Sequence, residues 1–327
     1  MSRYKQLSKE ERFTIENMIN EGYSASAVAR TLSRSKSTIS REIKRNKVRN
    51  GYFSGTANAK AEKRLSESHA KYAVRSPALR LEISELIQTG LSPMCISKRL
   101  KLEGRESVSH TAIYRWIRKE EPALEAYLYR SYHKPRRKHK ARTSVIKGRV
   151  PIAHRPEGRE SGQWESDLVV SRRSKAALQT CVERNSRYVR ISPLRDHSAN
   201  ENSSVLIRAL RGLPCSSIAY DNGIENVLHQ KVNDALGCVS YFCEPYHSWE
   251  KGSIENRNGI IRQYLPKSTD FREISPEMIA RIQDSINFTP MKCLGYKTPF
   301  EVQFKVVLSL EQIKRKVFSP KTINLFT

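Results

Sequence analysis

Near Gly162 the period of the apolar residues changes, and the change divides the chain into two kinds of architecture. Up to about residue 121, apolar side chains recur at three- and four-residue spacing, which puts them on one face of successive helices. Beyond Gly162 the runs are short, β-rich and broken by turn residues. The first part has to pack helix on helix, and the second has to build a sheet with helices against it. A chain of 327 residues has room for two or three domains, each with its own core.

Three short helices are predicted in the first fifty residues. Ser8 and Glu11 form a capping box ahead of an Ile15, Met18, Ile19 stripe, and Gly22 ends that helix. Ser24 caps a second helix, with Ala25, Val28, Ala29 and Leu32 on one face. A third begins near Ser35 to Ser37, with Ile39 and Ile43 inward and Ser37, Thr38, Arg41, Lys44 and Arg45 on the opposite face. This is the layout of a helix-turn-helix, whose last helix offers its polar face to DNA bases and phosphates. A small structural bundle with a solvated basic face would share the pattern. The pattern recurs with Leu79, Ile83, Leu86 and Ile87 ahead of Gly90, then Ser92-Pro93, then a helix from Ser109. In that last helix Ile113 and Ile117 face in while Thr111, Arg115 and Arg118 face out, either as a second helix-turn-helix or as a plain helical domain.

The next stretch holds eight Lys or Arg between Lys134 and Arg149 and no acid. Lys134, Arg136, Arg137 and Lys138 are expected to track phosphates on an extended linker, and His133 and His139 to be incidental to the basic run. Over the whole chain, 59 Lys plus Arg against 33 Asp plus Glu give a formal net charge of +26. Such a surface gains by neutralising a polyanion and releasing its counterions, although a ribosomal or membrane-surface role would explain the charge equally well. The six cysteines have no zinc or redox spacing and are expected to be reduced, mostly buried thiols. No run of roughly 18 apolar residues occurs, and MSRYKQLSKEER lacks the apolar centre of a signal peptide, so a soluble intracellular protein is expected.

After Gly162, "WESDLVVS", "LQTCVERN" and "RYVRISPL" read as strands, and "SANENSSVLIRALRGL" as a helix. A strand and turn in "SSIAYDNG", a helix, the strand "CVSYFCEP" and a helix from about Lys251 to Tyr264 follow. The expected class is α/β with a central mixed sheet, preceded by all-α domains.

Three acids stand out. Asp167 lies inside an apolar strand, where a carboxylate is costly unless a cation satisfies it. Asp221 sits where a strand gives way to Asn222-Gly223, the usual place for functional groups in an open α/β sheet. Glu255 starts a helix between Gly252 and Gly259, with 33 residues separating it from Asp221. Convergent carboxylates suit hard Mg²⁺. Two such ions about 3.5–4 Å apart can activate an attacking oxygen and stabilise a leaving one in phosphodiester displacement. Water as attacker gives hydrolysis; a DNA 3′-hydroxyl gives strand joining, which needs no nucleotide, and no phosphate-binding G-x-x-x-x-G-K loop is present. Singly, Asp167 could be a satisfied strand carboxylate, Asp221 an Asx-turn residue and Glu255 a helix-start acid. Glu165, Glu225, Glu244 and Glu250 compete nearby.

"WESDLVVS", "AYDNGIEN", "PYHSWEKGSIENRNGIIRQYLPKSTDF" and the N-terminal "STISREIKRN" resemble the insertion sequence 30 family of bacterial transposases, over nearly the whole chain. The resemblance implies a catalytic core of the retroviral-integrase superfamily with an RNase H-like fold. It implies further that Asp167, Asp221 and Glu255 are a D-D-E triad holding two Mg²⁺, for which Mn²⁺ can substitute. By the same likeness the first helix-turn-helix binds the element's terminal inverted repeats, Asn256 and Asn258 bond phosphates, and Arg262 holds the DNA backbone. Trp164 and Trp249 are expected to pack in support of the acids. Ser166 and Ser268 stand where the family usually has Gly, Phe288-Thr289 where Asn-Arg is common, and Met291 where Arg is common; none of these positions is an acid.

The expected division is 1–50 and 51–121 as DNA-binding domains, 122–158 as basic linker, 159–310 as catalytic core and 311–327 as tail. The expected activity is DNA cleavage and strand transfer in the bacterial cytoplasm, on terminal repeats and target DNA at the nucleoid. At least a dimer is expected, since two ends must be joined, and no membrane partner. A non-enzymatic DNA-binding regulator and a simple RNase H-like nuclease are the alternatives.

Overall fold

Serine caps set the helix starts of the N-terminal part where the sequence puts them. The computed structural model describes residues 6–71, 74, 76–128, 146–158, 160–244 and 248–325. Lys134, Arg136, Arg137, Lys138, His133 and His139, with the side chain of Trp249, lie outside the described residues. Two compact units result, Met1–Ala73 and Val74–Thr327, a division by packing rather than by the five functional segments expected.

In the first unit, α1 (Lys9–Asn20), α2 (Ala25–Thr31) and α3 (Lys36–Asn46) are capped by Ser8, Ser24 and Ser35. The Ser8–Glu11 capping box is complete, with the Ser8 N–H donating to Glu11 at 2.7 Å and the Glu11 N–H to Ser8 Oγ at 3.1 Å. Ile15, Val28, Ala29 and Ile39 form the core, closed by Tyr52 and by Ala57 of α4 (Ser54–Lys71). Ser37, Arg41, Lys44 and Arg45 are exposed and Thr38 partly so, as the helical angle requires.

The second unit opens with α5 (Pro77–Gln88), α6 (Pro93–Leu102) and α7 (His110–Glu120), again behind serine caps. Their inward residues, among them Ile83, Ile96, Leu100, Ile113 and Trp116, share one core with Phe288, Leu310, Ile313 and Val317 from far along the chain. Thr111, Arg115 and Arg118 are exposed.

The sheet follows: β1 (Gln163–Val170), β2 (Ala177–Glu183) and β3 (Val189–Leu194), then β4 (Ser217–Tyr220) and β5 (Val239–Phe242). Its spatial order is β3-β2-β1-β4-β5. The first three strands are antiparallel, and β4 and β5 are parallel to β1 and to each other, the mixed order of an RNase H-like core. Gly162 starts β1 at φ +94°, and a Cβ there would come within 3.1–3.3 Å of Ser216 N, the Pro214 carbonyl carbon and Cys215 N, so only glycine fits without a shift.

Alternation along the strands feeds two cores. Trp164, Cys181, Ile218 and Phe242 pack with α8 (Ala199–Leu210) and α9 (His229–Leu236). Val169, Leu178, Val182 and Ile191 pack with α10 (Gly252–Tyr264) and α11 (Pro276–Asn287). Trp164 is wholly buried and donates Nε1–H to the Pro214 carbonyl at 2.8 Å, a packing aromatic as expected. Short helices α12 (Pro299–Phe304) and α13 (Leu310–Lys316) complete the unit.

Candidate active site

The parallel pairing of β1 with β4 sets the site. Gln163, Trp164 and Glu165 lie beside Ser217, Ile218 and Ala219, a constant offset that, carried two residues on, brings Asp167 level with Asp221. Two carboxylates are therefore adjacent on neighbouring parallel strands, Asp167 within β1 and Asp221 just past the carboxyl end of β4.

Asp167 keeps 27% side-chain exposure. Its Oδ2 accepts a 2.7 Å hydrogen bond from Asn258 of α10, and Lys251 Nζ lies 3.8 Å from its Oδ1. Thr180 on β2 donates to the Asp167 carbonyl or to Asn258 Oδ1, each 3.0 Å away, which fixes the amide's orientation. Burial pushes the Asp167 carboxyl above the usual carboxylate range, Lys251 pulls it back, and the Asp221 charge pushes it up again. Lys251 is 6% exposed and donates to the Ser166 carbonyl at 3.0 Å. Its burial alone would lower the ammonium, yet Asp167 and Asp221 hold it above its ordinary value.

Asp221 Oδ1 accepts from the Gly223 N–H at 3.3 Å and from Asn226 Nδ2 at 2.9 Å, so the Asx-turn geometry weighed for this residue is present. Asn222 donates to the Cys243 carbonyl at 2.8 Å and ties the ends of β4 and β5 together. Glu225, raised by burial and then by the charges of Asp221 and Asp167, is a third acid at this end of the sheet.

Glu255 is half-buried in the first turn of α10, one turn before Asn258 on the same helical flank. Among the described residues, no three His, Cys, Asp or Glu side chains close around a point that could hold a metal ion. The structure thus brings Asp167 and Asp221 together, and Asn258 of α10 donates a hydrogen bond to Asp167. Arg262, one heptad past Glu255, donates to the Val170 carbonyl at 2.5 Å and lies 5.4 Å from the Phe271 ring centroid. Asn256 is exposed.

Sequence reasoning missed Lys251 and Thr180. A lone lysine ahead of a helix reads as solvated, and only its spacing four residues before Glu255 could have marked it. Glu165, read as a competitor, is structural: its Oε2 accepts the Ile254 N–H at 2.9 Å and anchors the start of α10.

The arrangement is a pair of like charges in a chain of net charge +26, balanced by one buried ammonium and two amide donors. A helix-turn-helix domain model matches residues 3–46, the span of α1 to α3, so the N-terminal bundle is a helix-turn-helix. The chain is 38% identical over 323 residues to the transposase for insertion sequence element IS4351 of Bacteroides fragilis, covering 94% of this chain and 98% of that protein. It is 30% identical over 324 residues to transposase InsI for insertion sequence element IS30A of Escherichia coli K12, covering 90% of this chain and 82% of that one. Among solved structures, the catalytic core domain of BIV integrase covers 45% of this chain and 95% of that one, with TM-score 0.38 and 19% identity. With matches of that extent along nearly its whole length, the chain belongs to the insertion sequence 30 family of transposases.

Proposed function

We propose that this chain is the DNA transposase of an insertion sequence, with Asp167, Asp221 and Glu255 as a D-D-E site for strand cleavage and strand transfer. The observation that carries this reading is the level placement of Asp167 and Asp221 on parallel strands of a strongly basic chain. Their oxygens form the donor set that hard divalent cations take, and the mutual repulsion that raises Asp167 is what a cation would relieve. Asp167 and Asp221 would hold Mg²⁺ or Mn²⁺ from the sheet, with Glu255 joining from α10. Two bound ions would supply activation of the attacking oxygen and stabilisation of the leaving one.

The chain's own residues prepare that site. Asn258 and Thr180 orient Asp167, and Lys251 balances the carboxylates in the absence of a cation. Arg262 beside the acids, and exposed Asn256 farther round α10, would face the DNA backbone. In α3, Ser37, Thr38, Arg41, Lys44 and Arg45 would read the terminal inverted repeats. Thr111, Arg115 and Arg118 of α7 would contact a second stretch of the same DNA, and Lys134, Arg136, Arg137 and Lys138 would follow phosphates between them. Two ends must meet for transposition, so the working form is at least a dimer acting on cytoplasmic DNA. No described helix is long and apolar enough to cross a membrane.

Asp221→Asn and Glu255→Gln should each abolish Mg²⁺-dependent cleavage and joining of a duplex carrying the element's own end, while leaving binding of that duplex intact. Wild-type protein that binds the duplex and never cuts it would instead be a DNA-binding regulator. Cutting without joining, indifferent to loss of residues 1–70, would be nuclease activity.

A further inference from the structure

A cavity of about 390 Å³ lies against the first turns of α10. Ser253, Asn256 and Arg257 line it at i, i+3 and i+4, whereas Glu255 and Asn258 fall on the other flank of the helix, toward Asp167. Arg184 and Arg187, from the turn between β2 and β3, form the facing wall.

Both carboxylates on the wall have partners. Glu165 accepts the Ile254 N–H and lies 3.7 Å from Arg184 Nε, and Glu250 accepts the Glu244 N–H at 2.9 Å. Arg257 has none: it is 3% exposed, and its contact among the described residues is the thioether of Met291. A guanidinium carries five N–H donors and a thioether is a weak acceptor, so this buried cation is left short of acceptors. Arg187 adds a second like charge beside it, held by a hydrogen bond to Ser253 Oγ. Burial pushes the Arg257 guanidinium down to about 10; Cys293 on the same wall opposes the shift and Arg187 adds to it. An uncompensated buried charge of this kind is costly unless the site is built to receive an anion.

We propose that this cavity is a phosphate site that seats one backbone phosphate of the DNA strand handled by the D-D-E site, a proposal that rests on the transposase reading above. Arg187 and Arg257 would grip the phosphate oxygens, and α10 would then touch DNA on one flank and the catalytic acids on the other.

The test uses full-length protein and a duplex carrying the element's own end. Arg187 has φ +62°, a conformation asparagine tolerates, so Arg187→Asn removes the charge without forcing the turn. The slope of log affinity against log salt should fall by about one, and ethylation interference should lose one required phosphate while the rest of the pattern stays. Asn256→Asp, on the exposed rim, should weaken binding in the same way and serves if Arg187→Asn melts early. Unchanged slope and interference pattern in both variants would overturn the proposal. So would a cavity that takes only the free anion, seen as inorganic phosphate raising the melting temperature of wild type but not of Arg187→Asn while DNA binding stays identical. Absence of Mg²⁺-dependent cleavage by wild type on the same duplex sinks the transposase reading and is scored separately from the slope.

Discussion

Both helical triads depend on a buried arginine, and the two arginines reach very different distances along the chain for their partners. Arg12 of α1 donates to Glu42 of α3 at 2.6 Å, to the Leu7 carbonyl at 2.9 Å and to Asn58 of α4 at 3.1 Å. All of those partners belong to the first 73 residues. Arg99 of α6 donates at 3.0 Å to both oxygens of Glu301 in α12, 202 positions away, and also to the carbonyls of Tyr296 and Leu308. The first triad is closed by its own neighbour α4, the second by the C-terminal helices of the second unit. Similar helix starts and seams thus give one self-sufficient DNA-binding bundle and one that is part of a larger core. A helix-turn-helix pattern states which face turns inward, not what will cover it.

Removing the distant partner should have the largest effect. Glu301→Ala strips Arg99 of its buried carboxylate, leaving it the Tyr296 and Leu308 carbonyls and Glu103 at 3.8 Å, and should cost about 3 kcal/mol. Tryptophan fluorescence in a denaturant titration reads this directly, because Trp116, Trp164 and Trp249 all lie in the second unit. Glu42→Ala should instead speed hydrogen exchange in α1 to α4 and leave the tryptophan transition where it was. If Glu301→Ala shifts that transition no further than Glu42→Ala does, the contrast between the triads fails.

Acid should reveal the same contrast more gently. Burial by itself would raise the Glu301 carboxyl, but the N–H groups of Leu308 and Thr298 and the Arg99 guanidinium hold it below the usual carboxylate range. A carboxyl lowered by folding stabilises the native state above its unfolded pKa of about 4.3, and that contribution is lost as pH falls through the folded value. The tryptophan transition should therefore weaken below about pH 4 in wild type, and Glu301→Gln should flatten that limb. An unchanged acid limb in Glu301→Gln would show that other carboxylates set it.

Local features were legible in the sequence because their causes are local. Ser8, Ser24, Ser35, Ser92 and Ser109 cap helices where the pattern places them, and the inward and outward sets of α3 and α7 agree with a 3.6-residue period. The strand positions of Asp167 and Asp221 were legible too, and their pairing followed once β1 and β4 proved parallel and in register. The contribution of α4 was not, since its Ala- and Lys-rich "SGTANAKAEKRLSESHAK" carries little apolar signal. Arg99 could not be read at all, because nothing near it in sequence announces a carboxylate 202 positions on. At the site, Lys251 and Thr180 escaped notice for the same reason: each looks ordinary until the sheet brings Asp167 beside it.

The smallest expected effect tests whether equal local signals carry equal energy in the two settings. Ser35 accepts the Thr38 N–H at 3.2 Å and Ser109 accepts the Ala112 N–H at 3.2 Å, so the two caps are geometrically matched. Replacing either with alanine should cost about 1 kcal/mol. Ser35→Ala acts on a unit with one small core, so its loss should appear as faster exchange across α1 to α4 together. Ser109→Ala acts on a helix buried against α5, α6 and the C-terminal helices, and the same loss should stay confined to the first turn of α7. Residue-resolved hydrogen exchange distinguishes the two. Spread protection loss in both variants would mean that the second triad also opens as an independent bundle, and the Arg99–Glu301 contact would then not hold it to the rest of the second unit.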